Sequence, residues 1–118
     1  MHAMGTNQLP LPVAAVHILV ALGAGPRHGY AIMSEVAALT DGNVRLPPGT
    51  LYTNIKRLMT SGLIEETEPP SDAVSDDARR RYYRLTTVGQ AALEAELDRM
   101  ERLVRQARLT GSKPAGSP

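Results

Sequence analysis

Two stretches of the 118-residue chain concentrate the side chains able to do chemistry. The first, Thr50-Leu51-Tyr52-Thr53-Asn54-Ile55-Lys56-Arg57, offers hydroxyls, a carboxamide, an ammonium and a guanidinium. The second is Arg79-Arg80-Arg81, followed at once by Tyr82 and Tyr83. These groups suit one kind of chemistry, hydrogen bonding to phosphate oxygens and base edges. Asn pairs with adenine, Arg or Lys with guanine, and Thr meets the thymine methyl. Five of the thirteen basic residues are Lys56, Arg57, Arg79, Arg80 and Arg81, so a net charge of +1 conceals a local positive face. In isolation, a triple arginine behind the aspartates of Ser71 to Asp77 reads as a self-neutralising loop. Beside the Thr50–Arg57 pattern it reads as a contact surface.

Other chemistries are excluded by what the sequence lacks. There is no cysteine, hence no disulfide, thiol nucleophile, thiolate zinc site or iron–sulfur cluster. His2, His17 and His28 share no metal-ligand spacing, and neither a nucleophile–base constellation nor a glycine-rich phosphate loop occurs. The chain reads as a non-enzyme without cofactor. No apolar run reaches the ~18 residues of a membrane span and no secretory leader is apparent. A cytoplasmic protein without membrane contact is expected.

The elements that must hold the two stretches follow from periodicity. Val13 to Leu22 is apolar except for His17, and its alanines and Pro12 favour helix. A helix apolar on every side needs cover on every side, which implies a partner chain. His17 within it reads as a hydrogen-bonded interior histidine. A second helix runs from about His28 to Leu39 on Ile32, Val36 and Leu39, with His28 fixing the turn into it. After a turn at Thr40–Asn43, Val44-Arg45-Leu46 has the length of a bridging strand. A third helix starts near Pro48. Its Leu51, Ile55 and Leu58 share one face, and Thr50, Thr53, Asn54, Lys56, Arg57 and Thr60 the other. Leu63–Glu68 and Arg80–Leu85 read as strands of a β-hairpin, with Tyr82 and Arg84 on one side and Arg81, Tyr83 and Leu85 on the other. Asp72, Asp76 and Asp77 would be repelled by phosphate, so the hairpin tip should point away or lack order.

A last helix spans about Thr87 to Leu109, started by a Thr87–Gln90 capping box with Thr86 as rival cap. Leu93, Leu97, Met100, Val104 and Ala107 form a heptad seam. Asp98–Arg102 and Glu101–Arg105 each add ~0.2–0.5 kcal/mol along the helix. More than twenty residues overshoot so small a domain, and the seam points to dimerisation.

The expected class is mainly α with a small β-hairpin: a winged helix-turn-helix plus a C-terminal dimerisation helix. Residues 1–8 should be disordered, with Met4 as a candidate natural start. Residues 9–86 form the DNA-binding domain, 87–109 the dimerisation helix and 110–118 a disordered tail.

The chain resembles the PadR-like family of bacterial transcriptional regulators. The resemblance rests on His28-Gly29-Tyr30-Ala31-Ile32, Leu46-Pro47-Pro48-Gly49-Thr50-Leu51-Tyr52, Lys56-Arg57-Leu58 with Gly62-Leu63-Ile64-Glu65, and Arg80-Arg81-Tyr82-Tyr83-Arg84-Leu85-Thr86 with Gly89. It covers about Leu11 to Leu109 and matches the family's short branch. It implies a homodimeric repressor on a double-stranded operator, the last helix packing on the partner's first helix, and release of DNA by a small effector. Two departures stand out: Pro47 replaces the family's usual capping Ser, and Thr53 replaces a common proline. The rival class is a winged-helix protein-interaction module that ignores DNA.

The DNA-binding residues expected are Tyr30, Thr50, Tyr52, Thr53, Asn54, Lys56, Arg57, Arg79, Arg80 and Arg81, with Tyr52 open between wing packing and phosphate contact. The dimer interface expected is Val13, Val16, His17, Val20, Leu93, Leu97, Met100 and Val104. An effector cavity between subunits would be lined by Val13, Ala14, His17, Leu93, Leu97 and Met100, without an aromatic shelf.

Overall fold

The fold is organised around the apolar helix α1, Val13–Leu22, whose Ala15, Val16, Ile18, Leu19, Ala21 and Leu22 are buried. The computed structural model describes residues 10–74 and 77–111. The expected disordered N-terminus, and the tail beyond Gly111, lie outside them. In chain order the elements are α1, β1 (Arg27–His28), α2 (Gly29–Leu39), α3 (Pro48–Thr60), β2 (Ile64–Thr67), a 3-10 turn (Asp77–Arg79), β3 (Tyr82–Leu85) and α4 (Thr87–Leu109). Helix α1 packs against α2, α3, α4 and β3. The chain therefore supplies most of the cover that α1 needs. Val13, Ala14, His17 and Val20 stay wholly or partly open. His17 is not interior: it is part-exposed, and its Nδ1–H donates to the Val13 carbonyl at 2.8 Å.

The sheet has three antiparallel strands in the order β1-β3-β2. The third strand is Arg27–His28, paired to Tyr83 and Tyr82, and not Val44–Leu46. The latter segment has no strand for local reasons. Asp41 (φ 52°) and Gly42 (φ 79°) turn the chain left-handed. The Val44 N–H then donates to Thr40 Oγ1 at 3.0 Å, and Pro47-Pro48 cannot donate to a ladder. Leu46 is instead buried in the core. The returning strand starts at Tyr82, two residues later than its sequence suggests, because the chain winds into the Asp77–Arg79 turn first. Tyr82 and Tyr83 are both buried although they face opposite ways. Tyr83 joins the aliphatic core, and Tyr82 takes the edge of the His28 ring at 5.3 Å between centroids.

Helix α4 is capped by Thr86 and not by a Thr87 box. Thr86 Oγ1 accepts from the Gly89 N–H at 2.9 Å and donates to the Gly62 carbonyl at 2.6 Å, while the Thr86 N–H donates to the Leu63 carbonyl. The start of α4 is thus clasped to the α3–β2 connection, and Gly89 lies directly against the Leu63 carbonyl.

A buried carboxylate joins the two ends of the fold. Glu96 on α4 is fully buried and its Oε2 accepts the Leu11 N–H at 2.7 Å, ahead of α1, which has no side-chain cap of its own. Its Oε1 pairs with Arg99. The sequence does carry a sign of this. Glu96 lies three after Leu93 and four before Met100, an acid in the middle of the apolar stripe. Among the described residues, no helix is long and apolar enough to cross a membrane.

Candidate nucleic-acid interface

Helix α3 presents its two faces as its periodicity requires. Leu51, Ile55 and Leu58 are buried, and Thr50, Tyr52, Thr53, Lys56 and Arg57 are exposed. Pro48 at the first helical position brings a preset φ and no orphan N–H, so the missing Ser cap costs the helix little. Thr53, Lys56, Arg57, Thr60 and Ser61 border one shallow groove on the solvent side. Asn54 borders a neighbouring crevice, which Arg57 and Ser61 also line. Its Nδ2 donates to the Thr50 carbonyl at 2.9 Å, and the half-buried side chain shares that crevice with Pro10, Leu11, Pro12 and Ala15. The carboxamide expected to pair with adenine is thus engaged with its own helix, on the side turned towards α1.

A second crevice, of about 200 Å³, brings α2, α3 and the wing together at His28, Gly29, Tyr52, Arg80, Arg81 and Tyr83. Gly29 makes the approach possible, because a Cβ there would strike the Tyr52 hydroxyl. Tyr52, Arg80 and Arg81 therefore converge although about thirty residues separate them in sequence. Tyr30 joins them, half-exposed, with the Arg80 guanidinium 5.8 Å from its ring centroid. Arg79 is exposed on the 3-10 turn. Two further cations hold the scaffold: Arg27 donates to the Ala21 carbonyl at 2.8 Å and faces Glu35, and Arg84 pairs with Glu65 at 2.8 Å.

The wing acids do not all point away. Asp72 is exposed, and Asp76 lies outside the described residues. Asp77 turns inward: its Oδ1 is 3.2 Å from Arg80 Nε and 3.7 Å from His28 Nε2. The physical reason is the 3-10 turn, which folds position 77 back over β1. Sequence reading misses this cluster, because His28 and Asp77 meet only through the β1–β3 pairing.

His28 has its tautomer set by its neighbours. Nδ1 accepts the Ala31 N–H at 3.1 Å, capping α2, so the proton of the neutral ring sits on Nε2, towards Asp77. Burial, seconded by the Arg80 charge and opposed by Asp77, holds its pKa below the ordinary 6.5. The unfolded chain binds a proton at 6.5 and the folded chain resists it to lower pH. The resulting stabilisation is complete above pH 6.5 and is lost as pH falls through that value towards the folded pKa. Thermal unfolding between about pH 7.5 and 5 should show the decline. His28→Asn, which retains a capping acceptor, should remove that component; an unchanged pH slope in the variant would contradict the assignment. Burial, first among several causes, also raises the Tyr82 and Tyr83 hydroxyls above 10.0, so both remain neutral donors.

A second surface is apolar. Of the eight residues expected at a dimer interface, Val16 and Leu93 are buried in the chain's own core. Val13 (69%), Val104 (50%) and Leu97 (40%) are exposed. His17, Val20 and Met100 are part-exposed, as is Ala14 of the expected effector set. Leu97, Met100 and Val104 line an open groove along α4 with Glu101, Arg105 and Arg108.

The family model for the transcriptional regulator PadR-like family matches residues 18–95. The chain belongs to the PadR-like family of transcriptional regulators. A PadR-like winged helix accounts for the four helices and the small antiparallel sheet among the described residues, and a family of regulators agrees with the reading of the chain as a non-enzyme. The chain is 33% identical over 102 residues to the transcriptional regulator Rv3488 of Mycobacterium tuberculosis, covering 86% of this chain and 89% of the relative. It is 36% identical over 90 residues to a 37.1 kDa protein in transposon TN4556 of Streptomyces fradiae, covering 76% of this chain but 24% of that relative. The structure of Bacillus subtilis PadR in complex with operator DNA superimposes with a TM-score of 0.60 at 24% identity, over 75% of this chain and 48% of that one. At that identity the likeness speaks for the PadR-like fold alone.

Proposed function

We propose that the chain is a sequence-specific DNA-binding regulator, a homodimeric repressor released from its operator by a small effector. Residues 9–86 act as the DNA-binding domain and 87–109 as the dimerisation helix. Helix α3 enters the major groove with Thr50, Thr53, Lys56 and Arg57, and Arg80 and Arg81 grip the backbone beside it. The observation that carries this reading is that Tyr52 meets Arg80 and Arg81 at the base of the wing, on the same helix that exposes Thr53, Lys56 and Arg57. Membership of a family of transcriptional regulators supports it. Two subunits would reach half-sites about one turn apart, ~34–36 Å. Base reading rests on Thr53 and Arg57 in the first place, since Asn54 is tied to Thr50. The effector would sit between subunits against Val13, Ala14, His17, Leu97 and Met100.

Lys56→Ala and Arg80→Ala test the assignment. Both should weaken binding to all duplexes alike. The slope of log affinity against log salt should fall by about one for each phosphate that a subunit no longer neutralises. If both variants keep wild-type affinity and slope, the basic face has another use, and docking of a protein becomes the better reading.

A further inference from the structure

A surface meant for a polyanion gains nothing from a carboxylate unless the carboxylate has work to do there. Asp77 stands at the centre of a small ring of contacts that ties the wing to α2. Its Oδ1 approaches Arg80 at Nε, 3.2 Å away, and His28 Nε2 lies behind it at 3.7 Å. The Arg80 guanidinium rests 5.8 Å from the centroid of Tyr30, and the Tyr30 and His28 rings stack at 6.5 Å with 19° between planes. An unrestrained arginine loses much side-chain freedom on meeting a phosphate. Here a carboxylate at one edge and a ring at one face already restrict it. Among the described residues, the contacts of the Arg80 head group are the Asp77 carboxylate at Nε and the Tyr30 ring, which leaves its terminal nitrogens, the usual partners of phosphate oxygens, for the ligand.

We propose that Asp77 is a positioning residue for DNA binding: its carboxylate, backed by His28, holds Arg80 over Tyr30 ready for a backbone phosphate. The inference rests on the DNA-binding reading above and deepens it. It makes an acid at the DNA surface a requirement for binding, the reverse of what charge alone dictates. A carboxylate close to phosphate repels it, so deleting an idle one strengthens binding.

The sign of the effect decides between the two. Affinity for duplex DNA is measured at several salt concentrations for the wild-type chain, Asp77→Ala, Asp77→Asn, Arg80→Ala, the double variant Asp77→Ala/Arg80→Ala, and Asp72→Asn as the control for charge. Asp72→Asn should bind slightly tighter than wild type. Asp77→Ala should bind roughly threefold to tenfold weaker, with its salt slope shifted towards that of Arg80→Ala. Asp77→Asn, which keeps an acceptor oxygen for Arg80 Nε, should regain at least wild-type affinity. In the Arg80→Ala background, Asp77→Ala should cost nothing more, because the partner it positions is gone. Tighter or unchanged binding by Asp77→Ala overturns the inference and leaves Asp77 an unfavourable charge. A loss that persists in the Arg80→Ala background overturns it too, since that marks a role in the wing's fold. A wild-type chain without salt-dependent DNA binding overturns the functional reading itself, and this inference falls with it.

Discussion

Replacing Leu97 and Met100 with glutamate should yield a monomer whose operator affinity is lower by roughly 10²–10⁴-fold, the decrease expected when two half-site contacts are no longer linked. The argument starts from the length of α4. Its 23 residues span roughly 34 Å, and its last buried residue is Glu96. Beyond that point Leu103 (64%) and Val104 face outward, and the groove along Leu97, Met100 and Val104 lies open. An isolated helical extension of this length is marginal in water, so packing must supply its stability. Val13, His17 and Val20 of α1 add a second open stripe, and α1 and α4 are packed neighbours. Glutamates at 97 and 100 would bring unpaired charge into any interface built on that surface, which is far costlier than trimming apolar contacts. Leu97 is exposed and Met100 only part-buried within the chain, so the winged-helix body should remain folded. Sedimentation of both proteins at micromolar concentration checks the assembly. A well-folded wild-type monomer there, or an unchanged dimer in the variant, would contradict it.

Gly89→Ala should cost about 3 kcal/mol of stability, the upper end of the range for overpacking. A Cβ at position 89 would fall inside the Leu63 carbonyl oxygen, a rigid backbone atom that already accepts the Thr86 N–H. Helix α4 would have to shift away, straining the Thr86 cap and its bond to the Gly62 carbonyl. Alanine's better helix propensity returns at most ~1 kcal/mol, so it does not reverse the sign. Gly49→Ala is the control. It sits early in α3 with nothing within 4 Å of its added Cβ, and it should be neutral or mildly stabilising. Thermal or denaturant unfolding reads both. A Gly89→Ala chain as stable as wild type would show that α4 is not clasped to Leu63.

Much of this architecture is written in local patterns. The Leu51–Ile55–Leu58 spacing sets the buried face of α3, and the positions facing away from it include the exposed Thr53, Lys56 and Arg57. Gly62 and Thr86 bound the hairpin strands within a residue or two. What escapes depends on meetings between distant residues. Val44–Leu46 looks strand-like, yet Arg27–His28 is the segment that pairs with β3. It does so because α2 must begin beside the wing, and two residues carry no periodicity to read. The apolar circumference of α1 demands cover on every side and implies a partner chain, whereas four elements of the same chain already cover most of it. Asn54 has the residue type for reading adenine, but its rotamer is set by the Thr50 carbonyl one turn back. The inward turn of Asp77 and the burial of Glu96 follow from tertiary packing that brings acids to His28 and to the Leu11 N–H.

The central claim is that the α3 face and the wing bind DNA. Its most direct test is the salt dependence of binding between the wild-type chain and random-sequence duplex DNA. Affinity should fall steeply and linearly in log–log form, with a slope close to about −0.9 for each phosphate neutralised. Feeble binding with no dependence on salt would contradict the account and assign these surfaces to a protein partner.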